Sequence, residues 1–377
     1  MDFRFAEEDQ TVAELARKIL VDKVTNERLK QVEASSPVFD AELWRALGDA
    51  NLLGVAIPEQ HGGMELGYLA LTLFLHEIGR SVAPVPVYGS LVLGGLPLAQ
   101  FGSEAEKAGW LPKIAAGEAI LTAALVELDS SDPLAPTTRA VATAGGFKLT
   151  GEKSLVPAAR RAARILVPAT ADDGRVILAW VSPTAKGVRL EAQRASDRQP
   201  CDYMALDGVL VSHEDCLGGV EGGADRLRWL VERAIVARCA MQLGVIERSL
   251  EMTAAYGRER VQFDVAIGSF QAFHQRAADA YIMVESLRLS TWEAAWRLSQ
   301  GLDAGEHVAV AKYWAAEGAQ FSAYACQHLH GGVGIDVDYP LHRYFIWATQ
   351  IEHELGAAPL QLEKLGAQIA ESGVPEF

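Results

Sequence analysis

Apolar residues recur at helical spacing through the first ~115 residues. Val12, Leu15, Ala16, Ile19 and Leu20 mark one helix face, and Leu43 and Leu47 mark another beside Trp44. The stretch GYLALTLFLHEIGR at 67–80 is apolar on most sides, which predicts a buried helix. Ser103 followed three residues later by Glu106 has the form of a capping box opening a short helix before Trp110 and Pro112. Beyond Ala116 the period shortens. FKLTG, RILVPA, RVILAWVS, GVRLEA and MALDGVLVS are strand-length pieces separated by AGG, ADDG and LDG turns, the pattern of a small antiparallel β domain. From Gly222 helical periodicity returns in four long segments, roughly 224–257, 268–300, 303–330 and 338–372, as expected of an antiparallel bundle.

The pattern therefore predicts an α+β multidomain chain: an N-terminal α-helical domain over 1–115, a small β-barrel or sandwich over 116–220, and a C-terminal four-helix bundle over 221–377. A formal net charge of −15 argues against nucleic acid as a general partner. It also requires any anionic cofactor to be met by a local cluster of Arg, Lys or backbone N–H groups. No apolar run approaches the ~20 residues of a membrane-spanning helix, and MDFRFAEEDQ lacks the basic-then-apolar order of a secretory signal. A cytoplasmic location is the expectation. Cys201, Cys216, Cys239 and Cys326 are scattered, which suits free thiols in a reducing compartment and offers no metal site.

Three local patterns, in order over ~270 residues, sharpen the reading. They are FGSEAEKAGWLPKIAAGEAILTAAL (101–125), YGRERVQFDVAIGSFQ (256–271) and HLHGGVGIDVDYPLHRYF (328–345). Together the chain resembles the acyl-CoA dehydrogenase family from end to end. The resemblance implies FAD shared across a subunit interface. Arg260 would contact the pyrophosphate of a flavin held by a neighbouring subunit, Phe263 would line the same cleft, and Gln271 lies just inside the next helix. Gly331, Gly332 and Gly334 would let backbone approach the adenosine closely. His328 stands where the family usually has Gln, and its imidazole can still hydrogen-bond. Taken singly, Arg260 reads as an exposed helix-end arginine and the glycines as a helix cap and turn.

The family removes an α-proton from an acyl-CoA thioester with a carboxylate while the β-hydride passes to the flavin. At the two places where relatives carry that base, this chain has Leu355 and Ala234, so no catalytic residue is expected there. Glu354 and Glu352 are the carboxylates next to the first position, and Glu232 lies two residues from the second, turned by ~200° on a helix. The flavin-ring contacts differ too. The family's Thr-Glu-Pro…Gly-Ser-Asp is matched by Val126-Glu127-Leu128-Asp129-Ser130-Ser131-Asp132, and its Lys-x-Trp-Ile-Thr by Lys153-Ser154-Leu155-Val156-Pro157. Pro157 has no N–H and Leu155 no indole.

The leading expectation is a non-catalytic, FAD-supporting subunit of a heteromeric dehydrogenase, similar to the degenerate subunit of actinobacterial steroid-type enzymes. Its partner would be a second acyl-CoA dehydrogenase-like chain, its substrate a bulky acyl-CoA such as a steroid-CoA, and its electron acceptor an electron-transfer flavoprotein. Two alternatives stand beside it: a self-sufficient homo-oligomeric dimer or tetramer using Glu354 or Glu352 as base, and a flavin-free structural partner. Of the remaining residues, His330 and His342 read as histidines packed at a subunit contact. Trp292, Trp296 and Trp314 read as bundle or interface packing, and Arg160, Arg161 and Arg164 as either a CoA-phosphate cluster or a solvated turn.

Overall fold

The computed structural model describes residues 4–36 and 38–373. Helices α1 (Glu7–Lys23), α2 (Asn26–Glu33), α3 (Ala41–Asp49), α4 (Gly67–Ser81), α5 (Leu96–Phe101) and α6 (Glu104–Ala115) come first. Strands β1 (Leu121–Ala123), β2 (Arg139–Thr143), β3 (Gly146–Pro157), β4 (Arg164–Ala171), β5 (Val176–Val181), β6 (Val188–Arg194) and β7 (Pro200–Ser212) follow. The chain continues with α7 (Gly223–Glu259), the two-stranded β8 (Val261–Gln262) and β9 (Val265–Ala266), then α8 (Gln271–Ser299), α9 (Gly305–Tyr313), α10 (Ala319–His330), α11 (Leu341–His353) and α12 (Ala358–Ser372). Helices, a curled sheet and helices again: the predicted fold class is the observed one. Among the described residues no helix is long and apolar enough to cross a membrane.

Two compact units divide the chain. The first comprises residues to Ile19, 27–71 and 84–234, and holds most of the N-terminal helices together with the sheet. Its helical core is Leu43, Leu47, Leu52 and Leu53, all essentially inaccessible. The Asp40 side chain caps α3 through Leu43 N, and is itself held by the Arg28 guanidinium at 2.6–2.8 Å. Ser103 and Glu106 form the capping box that the sequence predicts for α6. A π-helical segment, Tyr88–Gly95, lies so close to β1 that a Cβ on Gly94 would come within 2.6 Å of Leu121.

The sheet order is β1-β4-β2-β3-β7-β6, with β5 also paired to β4. The antiparallel expectation holds for β2–β3, β3–β7, β6–β7 and β4–β5. It fails for β1–β4 and β2–β4, which are parallel. The reason is topological: β1 and β2 take successive stretches of one edge of β4 while β5 takes the other edge. Alternation reports that a segment is a strand, but not which way its neighbour runs.

The second unit comprises residues 20–26, 72–83 and 235 onward. The third predicted helical segment is α9 and α10 joined through a π turn at Trp314–Gly318. Fully buried Gln242 donates from Nε2 to the carbonyls of Ala315 and Ala348, each at 3.0 Å, satisfying a carbonyl that the π turn frees. The fourth predicted segment is two helices rather than one. It breaks between α11 and α12, where Leu355 (φ 55°) and Gly356 (φ 98°) are left-handed. The expected four-helix bundle thus has a split fourth member.

A charged cluster sits inside this unit. The His76 ring faces Glu77 Oε1 at 3.1 Å through Nδ1 and Glu247 Oε2 at 2.9 Å through Nε2. Glu247 also meets Arg80 at 3.3 Å and Arg288 at 2.5 Å, while Arg80 forks onto Glu251. Two carboxylates on two ring nitrogens require an imidazolium with both N–H groups present. Burial alone would push the imidazole pKa down, but the Glu247 and Glu77 carboxylates outweigh it and hold it above its ordinary 6.5.

A group whose pKa rises on folding stabilises fully below its unfolded value and loses that contribution as pH climbs. Between pH 6.5 and about 7, before Lys153 and Lys312 (both pushed down to about 8) begin to titrate, conformational stability is expected to fall. The slope attributable to His76 is up to about 1.4 kcal/mol per pH unit. Chemical denaturation across that window checks it, and His76→Gln should flatten the slope.

Candidate functional site

The residues that the resemblance assigns to the nucleotide end of a flavin all lie in the second unit. The end of α7 runs into Arg260, whose backbone N–H still bonds to the Tyr256 carbonyl at 2.9 Å. The chain then reverses in a hairpin. Val261 pairs with Ala266 and Gln262 with Val265, leaving Phe263 (φ 55°) and Asp264 (φ 67°) as a two-residue loop with both φ positive. That is the type I′ arrangement, which favours Asn-Gly, and a Phe there is locally unfavourable. Phe263 is 89% exposed. Arg260 and Gln271 are exposed too, and Arg260 has no carboxylate partner among the described residues.

The glycine segment follows α10. His328 is exposed in the last turn, and Gly331 ends the helix at φ 58°, ψ −139°, a conformation essentially reserved for glycine. Gly332 has no positive φ, and a Cβ on it would meet nothing within 4 Å. Neither backbone shape nor packing within this chain therefore demands a glycine at 332, whereas Gly334 is buried against Gln327.

An aromatic cluster joins this segment to the end of α7. His330 stacks on Tyr256 with centroids 4.5 Å apart, and its Nε2 lies 3.2 Å from the Tyr339 hydroxyl. Burial pushes its pKa down, so it serves as a neutral ring. The expectation of His330 at a subunit contact is corrected here: its burial is internal, at 3% exposure. His342 is likewise buried and bonds the Tyr339 carbonyl. Trp292 packs on His76, and Trp314 on Tyr313.

Leu355, at the first family position for a base, is buried and left-handed. The turn around it is held from several sides. Fully buried Lys312 donates to the carbonyls of Ile351 at 2.6 Å and Glu352 at 3.1 Å, and so caps the C-terminus of α11 with a cation. Gln361 Nε2 reaches the Gly356 carbonyl at 3.1 Å. Glu354 forms an ion pair with Arg238 at 2.5 Å and accepts from Gln350 at 3.0 Å. Glu352 accepts from Gln320 at 2.9 Å, and burial pushes its pKa up. Ala234, the second position, is fully buried on α7.

In the first unit, the stretches matching the flavin-ring contacts are built around a pair that sequence reasoning missed. Glu127 receives hydrogen bonds from the N–H and hydroxyl of both Thr137 and Thr138 and from Lys153 Nζ, all within 2.9 Å. Lys153 is fully buried and also donates to the Pro168 carbonyl at 2.7 Å. Burial would raise the Glu127 pKa, but Lys153 and the threonine donors hold it down at about 2. Burial pushes Lys153 down to about 8. Both are charged at neutral pH.

Next to Lys153, strand β3 bulges and Leu155 takes φ 50°. Its N–H is occupied by the Gln193 side chain at 2.7 Å, and Gln193 Nε2 bonds the Ser154 hydroxyl at 3.0 Å. Neither the amide of Leu155 nor the ring of Pro157 offers a donor outward. The sequence signal available for the ion pair was two charged residues, Glu127 and Lys153, inside otherwise apolar strand-like segments. Lys153→Met is expected to destabilise the chain by about 3–5 kcal/mol, because it strands a buried carboxylate. Urea titration checks this, and the Glu127→Met, Lys153→Met double variant should recover part of the loss.

Comparison with known proteins follows this geometry. Residues 6–118 match the family model described as acyl-CoA dehydrogenase, N-terminal domain, and residues 222–370 that described as acyl-CoA dehydrogenase, C-terminal domain. The acyl-CoA dehydrogenase FadE27 of Mycobacterium tuberculosis is 39% identical over 380 residues, covering 99% of this chain and 100% of that protein. Among solved structures, the ChsE4-ChsE5 complex from Mycobacterium tuberculosis aligns with TM-score 0.93 at 38% identity over 100% of both chains. A variant of the Tcur3481-Tcur3483 steroid ACAD aligns with TM-score 0.91 at 41% identity, covering 97% of this chain and 98% of that one.

Proposed function

The chain belongs to the acyl-CoA dehydrogenase family, whose chemistry is FAD-dependent α,β-dehydrogenation of acyl-CoA thioesters, and we propose that within it this chain is a non-catalytic, FAD-supporting subunit of a heteromer. The observation that carries the reading is Leu355. The backbone turn that would present a base is built and braced, yet it bears an aliphatic side chain. The adjacent carboxylates are engaged elsewhere, Glu354 with Arg238 and Glu352 with Gln320. A general base must reach the proton it removes, and a carboxylate locked onto a guanidinium is a poor one.

The cofactor enters through this chain's residues at one end only. Arg260, with no carboxylate partner among the described residues, and the open backbone at Gly331 and Gly332 fit an anionic nucleotide tail arriving from outside the chain. FAD supplies hydride acceptance when bound. What this chain contributes is charge neutralisation and close backbone contact at the pyrophosphate–adenosine end. Its own ring-facing segment does not fit an isoalloxazine, because Gln193 occupies the Leu155 amide and Pro157 has none. The reactive ring, the base and most of the thioester pocket then belong to a partner with an intact β domain. Two-chain complexes among the similar structures support this, as does the steroid ACAD description for a bulky acyl-CoA. An electron-transfer flavoprotein is the proposed electron acceptor.

Expressed alone, the chain should purify without flavin and turn over no acyl-CoA; co-expressed with its partner, it should yield a yellow, active complex. A lone chain that is yellow and reduces its own flavin with an acyl-CoA would overturn the assignment in favour of a self-sufficient enzyme. Within the complex, Arg260→Ala is expected to weaken flavin retention about tenfold or more, measured by FAD stoichiometry after dialysis. Phe263→Asn, which suits the type I′ loop better, should leave the lone chain as stable or more so while lowering flavin retention in the complex.

A further inference from the structure

In the first unit, an open cleft of about 740 Å³ lies between the segment after α2, the turn after β3 and the β6–β7 connection. Four arginines line it: Arg160, Arg161, Arg194 and Arg198. In a chain of net charge −15 this is a local reversal of sign, and its members are unequally used. Arg160 binds Asp202 at 2.7 Å, and the Arg161 guanidinium lies 4.1 Å from the centroid of the Phe39 ring. Arg194 and Arg198 are exposed, and their side chains have no hydrogen-bond or ion-pair partner among the described residues. Two carboxylates, Glu33 and Asp202, also line the cleft, but they number half the guanidinium groups.

The backbone adds a second, independent observation. Arg198 (φ 62°) and Ala158 (φ 50°), on opposite segments of the cleft, are both left-handed without being glycine. Arg198 is held there by a compact turn, in which its N–H bonds the Ala195 carbonyl at 3.1 Å and buried Asp197 accepts from Gln199 N at 2.9 Å. Strained non-glycine residues persist where surrounding structure over-determines them, and they concentrate at ligand clamps.

We propose that this cleft binds a small phosphorylated metabolite of nucleoside-diphosphate size, through its phosphates. Guanidinium forks match phosphate oxygens in pairs, and two unpaired arginines beside two engaged ones suit a ligand carrying several negative charges on neighbouring oxygens. The volume exceeds what inorganic phosphate fills and falls in the range of small-molecule sites. Val38, Ala158 and Pro200 provide apolar wall for an organic body. The arginines supply the phosphate grip and Arg198's fixed backbone sets its direction.

The test is calorimetric titration of the full chain with ADP, inorganic pyrophosphate, adenosine and citrate at fixed ionic strength. ADP and pyrophosphate should bind with dissociation constants below about 1 mM and weaken as salt is added, while adenosine should not bind measurably. The Arg194→Ala, Arg198→Ala double variant should lose at least about tenfold in ADP affinity. Because both side chains are exposed, its thermal midpoint and the flavin content of the complex should match wild type. Arg194→Lys, Arg198→Lys should be intermediate, since charge is kept and the fork is lost. Unaltered ADP binding in the double alanine variant, or citrate binding as tightly as pyrophosphate, overturns the assignment. So does a folded wild-type chain that binds neither ADP nor pyrophosphate. Arg260→Ala should leave all these titrations unchanged, which separates this site from the flavin contact.

Discussion

The buried Glu127–Lys153 pair is the constraint around which the sheet is organised. A lysine with no exposed surface and a carboxylate with five donors cannot be relaxed piecemeal, because removing either leaves an uncompensated charge in an apolar interior. The pair ties the segment after β1 to the residues just before β2, to β3 and, through the Pro168 carbonyl, to β4. Those are the segments whose outer residues would meet a flavin ring. The scaffold beneath the ring position is thus fixed by electrostatics, while the residues on its surface are free to change. On that scaffold Leu155 and Pro157 stand where the family resemblance places Trp and Thr, and the Gln193 side chain occupies the Leu155 amide.

The turn at Leu355 repeats the pattern with other forces. A leucine at φ 55° costs about 1–2 kcal/mol against an extended or helical backbone. Nothing about an aliphatic side chain calls for that conformation. Lys312 at the end of α11, Arg238 on Glu354 and Gln361 on the following carbonyl impose it from three directions. The strain persists because the braces are part of the helix packing. Lys312 is as buried as Lys153 and as hard to remove. In both units, a buried lysine holds the backbone of the segment around it.

Much of the fold was legible because it rests on local chemistry. The Ser103–Glu106 box, the apolar α4 and the long helices of the C-terminal half follow from capping and periodicity over many residues. The parallel pairing of β4 was not legible, since strand direction is decided by residues distant in sequence. The break between α11 and α12 was legible in principle: Gly356 followed by Pro359 is a helix stop and start, set inside an otherwise continuous apolar period. For the site, glycines and an arginine at family spacing pointed to the hairpin at 260–265 and the turn at 331–334. The engagement of Glu354 by Arg238 and of Leu155 by Gln193 joins residues 38 or more apart and could be found only in three dimensions.

The segments proposed for the nucleotide side differ in kind from those proposed for the flavin ring and the base. Hairpin residues 260–265 expose a cation and a large aromatic ring, and the turn at Gly331–Gly332 exposes bare backbone. None of these features improves the isolated chain. Phe263 buries almost nothing and sits badly in its turn, Arg260 pairs with no carboxylate among the described residues, and a glycine at 332 forgoes a side chain that nothing obstructs. Features that cost a chain stability, or add none, are explained by what they meet outside it. The inward-facing groups, by contrast, are engaged by contacts within the chain itself. That division, self-satisfied within and unsatisfied without, is the physical basis of the proposed supporting role.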